Sequence, residues 1–481
     1  MSTTAQEWKR RAENALRARA NGEAIDAYRQ YLQLQPDDGD AWFNLAFVLR
    51  GQRHFADSAA AYREALARDI VRPEEARLNL AVILSEHCGD ELEAEAELQA
   101  AVAANPQFVS GWLNLGNLRE DLGDPEGADE AYAAALEVDP ACGRAHGRRA
   151  MIAMHQGDPD EAAARLEQVL REHRVVRAED QAEVLFAFGH VLDVVGNYEL
   201  AFAAIDRANR LRGQHLRYDS AAAERRIDTI IAGGSTRLAP IPADGIDPLF
   251  ICGMFRSGST LAEVLIARQF GLIAGGELEA VPALADQLGL TRGKQLAALD
   301  QGSLLAARNT YGAEARQSHR VSDGIIDKRC DNFLHIGLIK AMLPEARIIH
   351  TRRDWRDTLV SLYFGNFDNS MAYTFSLPGA AHWWRQYRRL MDHWEALYGA
   401  DILSLDYELL ATSPQTGLDQ VGQFLGRQPA GPQQANAPAR NRTVKTLSAW
   451  QVRQPVNDRS IGRWRNYRKY LAPVIDLGEA E

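Results

Sequence analysis

Only four cysteines, Cys88, Cys142, Cys252 and Cys330, occur among the 481 residues, and no two are spaced as a Cys-x-x-Cys pair. That spacing excludes a disulfide framework and a zinc signature, leaving reduced thiols and no metal as the expectation. Long apolar runs are missing too: nothing approaches the roughly 20 consecutive apolar residues that span a bilayer. The amino terminus, MSTTAQEWKRRAENALRA, has no apolar stretch of the kind a secretory signal needs. A cytoplasmic location with no membrane association is expected. Basic charge is also short, with a formal net charge of -11. A general nucleic-acid binder needs a basic field to displace counterions from phosphates, so that class is excluded, although a local basic pocket is not.

What is present is ordinary globular material, with 46% hydrophobic and 25% charged residues. A chain this long exceeds a single ordinary core, so two or three domains are expected, one of which can be an extended array.

The first half repeats. Trp8 and Trp42, Tyr28 and Tyr62, and Pro106 and Pro140 are each 34 residues apart. Asn44-Leu45-Ala46 recurs as Asn79-Leu80-Ala81 and as Asn114-Leu115-Gly116, in 35-residue steps that absorb small insertions. Gly123-Asp124 returns as Gly157-Asp158, and Ala128 returns as Ala162. Each unit reads as two amphipathic helices joined by a Gly-Asp or Gly-Asn turn. This pattern, clearest from Trp112 to Pro140, resembles the tetratricopeptide repeat. About six units are expected over residues 5–211, the last carrying Gly189, Gly196 and Ala201 at the equivalent positions. Trp8, Trp42 and Trp112 are expected to pack and not to bind. One unit cannot bury its own apolar face, so stacking stabilises the array, and its groove can take a peptide or partner protein.

The repeat fades after Tyr218, and residues 232–248, AGGSTRLAPIPADGIDP, are rich in Gly, Pro and small polar residues. The expected division is a repeat domain over 1–217, a linker over 218–245 and a second domain over 246–481. Leu249-Phe250-Ile251-Cys252 suits a buried parallel strand; GMFRSGST and the helical pattern LAEVLIARQF follow. Strand, glycine-rich loop and helix in that order cradle phosphate. Gly253, Gly258 and Thr260 fit the P-loop spacing, but Ser259 stands where the P-loop has Lys, and the loop's cation is Arg256. Without the Lys that reaches the terminal phosphates of a triphosphate, ordinary ATP or GTP hydrolysis is disfavoured. A second segment, ARIIHTRRDWRDTLVS, starts as a strand at Ile348-Ile349, passes Arg353 and reaches Ser361 eight residues on, so both side chains can converge on one phosphate.

The pairing of FRSGST with RRDWRDTLVS resembles the sulfotransferases that use 3'-phosphoadenosine 5'-phosphosulfate. DKRCDNFLHIGLIKAMLPEARIIHTRRD and SIGRWRNY look like bacterial tetratricopeptide-repeat sulfotransferases, relatives of the protein-tyrosine sulfotransferases. The resemblance implies an all-α repeat array followed by an α/β, P-loop-like domain with a parallel sheet. It implies that Arg256, Ser257, Gly258, Ser259 and Thr260 hold the 5'-phosphosulfate, and that Arg353 and Ser361 hold the 3'-phosphate. By the same resemblance Lys328, in the DK dipeptide, is expected to stabilise the leaving phosphate together with Arg256. Glu277 in GGELEAVP is the expected base, with Glu279 in reserve. Ser448 is expected near donor or acceptor, and Arg463 or Arg465 near the 3'-phosphate. The implied reaction is sulfuryl transfer to a hydroxyl. A peptide tyrosine, a sugar and a small metabolite all fit as acceptor, the repeats favouring a peptide or protein. The alternatives are a repeat adaptor with a degenerate second domain, which retention of Arg256, Lys328, Arg353 and Ser361 together argues against, and a nucleotide kinase, which the missing Lys argues against. This chain departs from the family at Phe255, where Pro is usual, at Ser259, where Thr is usual, and at Cys330, where Pro is common after the Lys. Ser keeps the hydroxyl, whereas Phe for Pro loosens the loop's preset geometry. His335, His350 and His382 are assigned nothing, and Trp383, Trp384, Tyr387 and Trp394 are expected to form a packing face.

Overall fold

The computed structural model describes residues 4–234, 248–319, 324–429 and 458–478, and the chain folds as two compact units, Met1–Asp180 and Gln181–Glu481. In the first unit, helix pairs follow the period of the sequence: Ala5–Arg17 with Asn21–Leu34, Gly39–Gly51 with Phe55–Leu66, Pro73–Ile83 with Glu91–Ala104, Val109–Leu122 with Pro125–Val138, and Gly143–Gln156 with Pro159–Arg171. Small residues sit where the two helices of a pair cross, and Ala24, Ala59, Ala94, Ala128 and Ala162 are all buried. Gly123 and Gly157 end their helices at φ of +85° and +108°, a conformation that L side chains resist. Trp42 and Trp112 are half-buried against the core and donate their indole N–H to the carbonyls of Pro36 and Pro106, at 2.9 and 3.0 Å, pinning each unit's first helix to the proline closing the unit before.

The third pair shows where a 35-residue step puts its extra residue. Asn79 precedes the helix-ending Gly89 by ten residues, whereas Asn114 precedes Gly123 by nine. The surplus is taken up in a π turn, Leu84–Cys88.

The sixth repeat, Ala178–Val195 and Tyr198–Arg212, lies almost wholly in the second unit, which continues into a further helix, Ser220–Gly233. The linker expected over 218–245 is therefore helical for much of its length. Ala223 and Ile227 of that helix join the core of the second unit, and the glycine- and proline-rich composition takes over only after it.

Five parallel strands follow: β1 Leu249–Gly253, β2 Ile273–Ala274, β3 Ile325–Lys328, β4 Arg347–Arg352 and β5 Ile402–Asp406, in the order β2-β3-β1-β4-β5. β1 is buried along its length, as a central parallel strand covered on both faces must be. Its side chains alternate accordingly. Leu249 and Ile251 pack with Ile326, Ile349 and Leu405 on one face, while Phe250 and Cys252 pack with Ile348 and the buried Trp383, Tyr387 and Trp394 on the other. The last three belong to the helix Leu377–Tyr398, whose aromatic residues thus form the expected packing face. The array of helical repeats followed by an α/β unit with a parallel sheet is the expected fold class. Among the described residues no helix is long and apolar enough to cross a membrane.

Candidate active site

In an open parallel sheet, ligands bind beyond the carboxyl ends of the strands, where the chain order reverses. Here that point is β1, flanked by β3 on one side and β4 on the other. The three segments singled out by sequence leave from those three strand ends. The glycine-rich loop follows Gly253, Lys328 ends β3 and Arg353 follows β4.

The loop turns tightly. A Cβ on Gly253 would lie 2.4 Å from the Thr351 carbonyl oxygen, and one on Gly258 would lie 2.5 Å from the Tyr407 ring. Gly258, at φ +93°, then starts the helix Ser259–Phe270, whose first amides face the loop. Arg256 is held at φ +70°, which a non-glycine residue rarely adopts. Its neighbours over-determine that conformation: the Arg256 carbonyl accepts from Arg353 Nη1 at 3.1 Å, and its own Nε donates to Ser361 Oγ at 3.0 Å. Ser257 and Thr351 share a hydroxyl bond of 2.7 Å, locking the loop to β4. Phe255, at the family's proline position, packs edge-on against Phe367 at the rim of the core.

Arg256, Arg353 and Arg463 form one cationic cluster. Burial first, and then repulsion from Arg353 and Arg463, pushes the Arg256 guanidinium down to about 10. Arg353 is lowered as well, chiefly by burial. It stacks over Tyr407 at 4.8 Å and donates to the Ser460 carbonyl at 2.5 Å, yet its buried Nε has no hydrogen-bond partner among the described residues. Mutual repulsion among buried cations is relieved by an anion placed between them.

Next to this cluster, Lys328 is buried and donates to the exposed Glu277 carboxylate at 2.8 Å. Burial would lower its pKa, but Cys330, Glu277 and Glu263 together outweigh burial and raise it. Glu263 in turn accepts the Gly276 amide at 2.7 Å, anchoring the short segment that carries Glu277. Glu279 faces elsewhere and bonds Arg329 at 2.6 Å. Ser259 meets Cys330 at 3.2 Å, and Thr260 is buried in the first turn of the loop helix. Arg465 is exposed and stacks on Trp464. Ser448 lies outside the described residues. The histidines given no role are engaged structurally: His335 and His350 are buried, and His382 bonds Tyr218 and Glu224.

Four residues at the site escaped the sequence reading. Tyr407 lies under Arg353. Asp357 accepts the amides of Gly462 and Trp464 at 2.6 and 2.8 Å, seating the late segment. His190 and Asp193 come from the sixth repeat, and Asp193 Oδ2 lies 3.0 Å from Arg463. His190 is driven down to about 4 by burial and then by the field of Arg463. Asp357 sits inside the quoted RRDWRD segment and was findable there; the others are joined only by the tertiary fold. Among the described residues no group of His, Cys, Asp and Glu could hold a metal.

Residues 248–429 match the model of the sulfotransferase family. Residues 45–107, 113–174 and 150–215 match the tetratricopeptide repeat. An uncharacterized protein of Aquifex aeolicus is 27% identical over 451 residues, covering 89% of this chain and 58% of that relative. Protein FlbA of Caulobacter vibrioides is 30% identical over 188 residues, covering 37% of this chain and 31% of FlbA. The chain thus spans less than two thirds of the length of either relative. A solved tetratricopeptide repeat protein from Parabacteroides merdae has a TM-score of 0.36 at 17% identity, over 44% of this chain and 84% of that one. The chain carries tetratricopeptide repeats and a sulfotransferase-family domain.

Proposed function

We propose that the second unit transfers a sulfuryl group from 3'-phosphoadenosine 5'-phosphosulfate to a hydroxyl acceptor. The observation that carries this reading is the convergence of Arg256, Arg353, Arg463 and Ser361 around a glycine-rich loop, with Lys328 paired to Glu277 beside them. A donor with phosphates at both ends of its ribose supplies the anions such a cluster needs, and 5'-AMP supplies fewer.

The acceptor oxygen attacks sulfur as the bond from sulfur to the 5'-phosphate oxygen breaks, and the phosphate leaves with the bonding electrons. Glu277 takes the acceptor proton, for which its exposed carboxylate is accessible. Lys328, buried and cationic, and Arg256 neutralise charge growing on the leaving phosphate. The products are a sulfate ester and adenosine 3',5'-bisphosphate.

For the acceptor we favour a peptide or protein, tyrosine among its candidate side chains, recruited by the repeats, since stacked helix pairs offer an extended concave surface. Four free cysteines are consistent with a reducing, cytoplasmic setting. Calorimetry with adenosine 3',5'-bisphosphate and 5'-AMP tests the donor. Tight binding of the first and weak binding of the second is expected, and equal binding would remove the assignment. For the acceptor, mass spectrometry of a lysate incubated with donor and enzyme would seek the added mass of one SO3.

A further inference from the structure

The sixth repeat can be aligned with the fourth residue by residue. Gly116, Gly123 and Ala128 correspond to Gly189, Gly196 and Ala201, each 73 positions on. The packing agrees: a Cβ on Gly116 would strike Tyr132 at 2.5 Å, and one on Gly189 would strike Ile205, also 73 positions on, at 2.6 Å. By the same offset Asn117 corresponds to His190 and Glu120 to Asp193.

In the fourth repeat Glu120 is buried and does one job. It accepts the hydroxyl of Tyr132 at 2.7 Å, and it takes Arg148 of the following repeat in two contacts, 2.8 Å from Nε and 2.7 Å from Nη2. Asp193 keeps the same two kinds of partner but draws both from the late segment of the second unit. It accepts the Tyr467 hydroxyl and lies 3.0 Å from Arg463 Nη2. Ile205 has replaced the repeat's own tyrosine, so the hydroxyl comes from outside. Around this pair His190 meets Phe364 edge-on, Tyr198 meets Tyr467, and Phe202 stacks on Tyr470 at 3.7 Å. The second helix of the repeat reaches the helix that carries Ser361: Asp206 accepts the Tyr363 hydroxyl at 2.7 Å, and Asn209 donates to the Tyr363 carbonyl at 2.8 Å.

We propose that the Arg463–Tyr467 segment occupies the place of a next repeat, and that Asp193 is thereby a positioning residue for the donor-phosphate cluster. This rests on the donor reading above. Arg463 is held by Asp193 on one side and by the rings of Phe364, 4.4 Å away, and Tyr467, 5.9 Å away, on the other. The rings fix where the guanidinium lies but leave its rotation in the plane open. The carboxylate holds the guanidinium on its side by charge, 3.0 Å from Nη2, while Nε and Nη2, buried without a hydrogen-bond partner among the described residues, remain for a phosphate.

The test compares wild type with Asp193→Asn, Asp193→Glu and Tyr467→Phe by calorimetry with adenosine 3',5'-bisphosphate and with 5'-AMP, alongside thermal unfolding. Asp193→Asn is expected to weaken the bisphosphate by about 10- to 100-fold, the loss of one charge-assisted bond, and to narrow its preference over 5'-AMP. Asp193→Glu should recover part of that preference. Tyr467→Phe, which leaves the ion pair in place, should change it in the same direction by less, and it stands in if Asp193→Asn does not fold. A purely architectural role would lower the melting temperature and leave the preference unchanged; that result, or tighter binding by Asp193→Asn, overturns the proposal. Wild-type protein that fails to prefer the bisphosphate removes the donor reading itself, a result distinguishable because it needs no variant.

Discussion

Ser259 Oγ lies 3.2 Å from Cys330 Sγ, so two of the three positions at which the chain departs from the pattern of the family it resembles touch one another. Each change accommodates the other. The serine hydroxyl, one methyl smaller than threonine, leaves room for a sulfur, and the cysteine offers a polar atom where proline offers none. Burial pushes the Cys330 thiol up to about 11, so it is protonated near pH 8 and a poor nucleophile. Alkylation at pH 8 should therefore modify the exposed Cys88 first and spare Cys330 until the protein is unfolded. Peptide mapping of the alkylated protein checks this, and labelling of Cys330 as fast as Cys88 would contradict its burial.

The Lys328–Glu277 pair divides two roles that mutagenesis can separate. Glu277→Gln removes the proposed base but leaves a hydrogen-bond acceptor for Lys328, so turnover should fall by about 10² or more while donor binding persists. Lys328→Met removes the cation and should also lower turnover by about 10²- to 10³-fold. Glu279→Gln, which removes the charge paired with Arg329, should keep most of the activity. Initial rates measured with saturating donor check the set. Loss in Glu279→Gln with retention in Glu277→Gln would exchange the two assignments.

Asp327 gives the second unit a pH dependence of its own. Burial raises its carboxyl to about 8, against the pull of Tyr311, Arg329 and Asn332. Between the ordinary aspartate value of about 3.9 and that raised value the folded protein holds a proton the unfolded chain has lost, so stability falls as pH rises. His190 and His335, both lowered to about 4 by burial, act oppositely, but only below their unfolded value of about 6.5. From about pH 6.5 to 8 the Asp327 effect stands without them. The melting temperature of wild type should decline across that window, and Asp327→Asn should flatten the decline. Scanning calorimetry of both proteins checks it, and parallel slopes would place the proton elsewhere.

Much of this was legible in the sequence because local geometry demanded particular residues. A helix crossing requires Ala128 or Ala162, and a left-handed helix end favours Gly123 or Gly157, so the repeat is visible without a structure. The loop from Gly253 to Thr260 declared itself similarly. Lys328 and Glu277 were reached through family resemblance, and nothing in their spacing, 51 residues apart, brings them together. Ser220–Gly233 fell inside the expected linker because the repeat pattern ends before it, although Ala223, Ile227, Ile230 and Ile231 lie at helical spacing and pack on the core of the second unit. His190 and Asp193 read as ordinary repeat positions, since the partners that give them meaning lie some 170 to 270 residues further along the chain.

The paired glycines offer a last discrimination between the two units. Gly116→Ala would press a methyl into Tyr132 at 2.5 Å, and Gly189→Ala would press one into Ile205 at 2.6 Å. Both side chains are buried and neither can swing aside freely, so each substitution should cost about 1–3 kcal/mol. The consequences for ligand binding should differ. Gly116 belongs to the first unit, and its alanine variant should unfold at lower urea while binding adenosine 3',5'-bisphosphate as wild type does. Gly189 immediately precedes His190 in the helix that also presents Asp193, so its variant should lose both stability and affinity. Urea denaturation and calorimetry on the same preparations check the pair. Unchanged affinity in Gly189→Ala, at a measured loss of stability, would show that the sixth repeat supports the fold without setting the donor site.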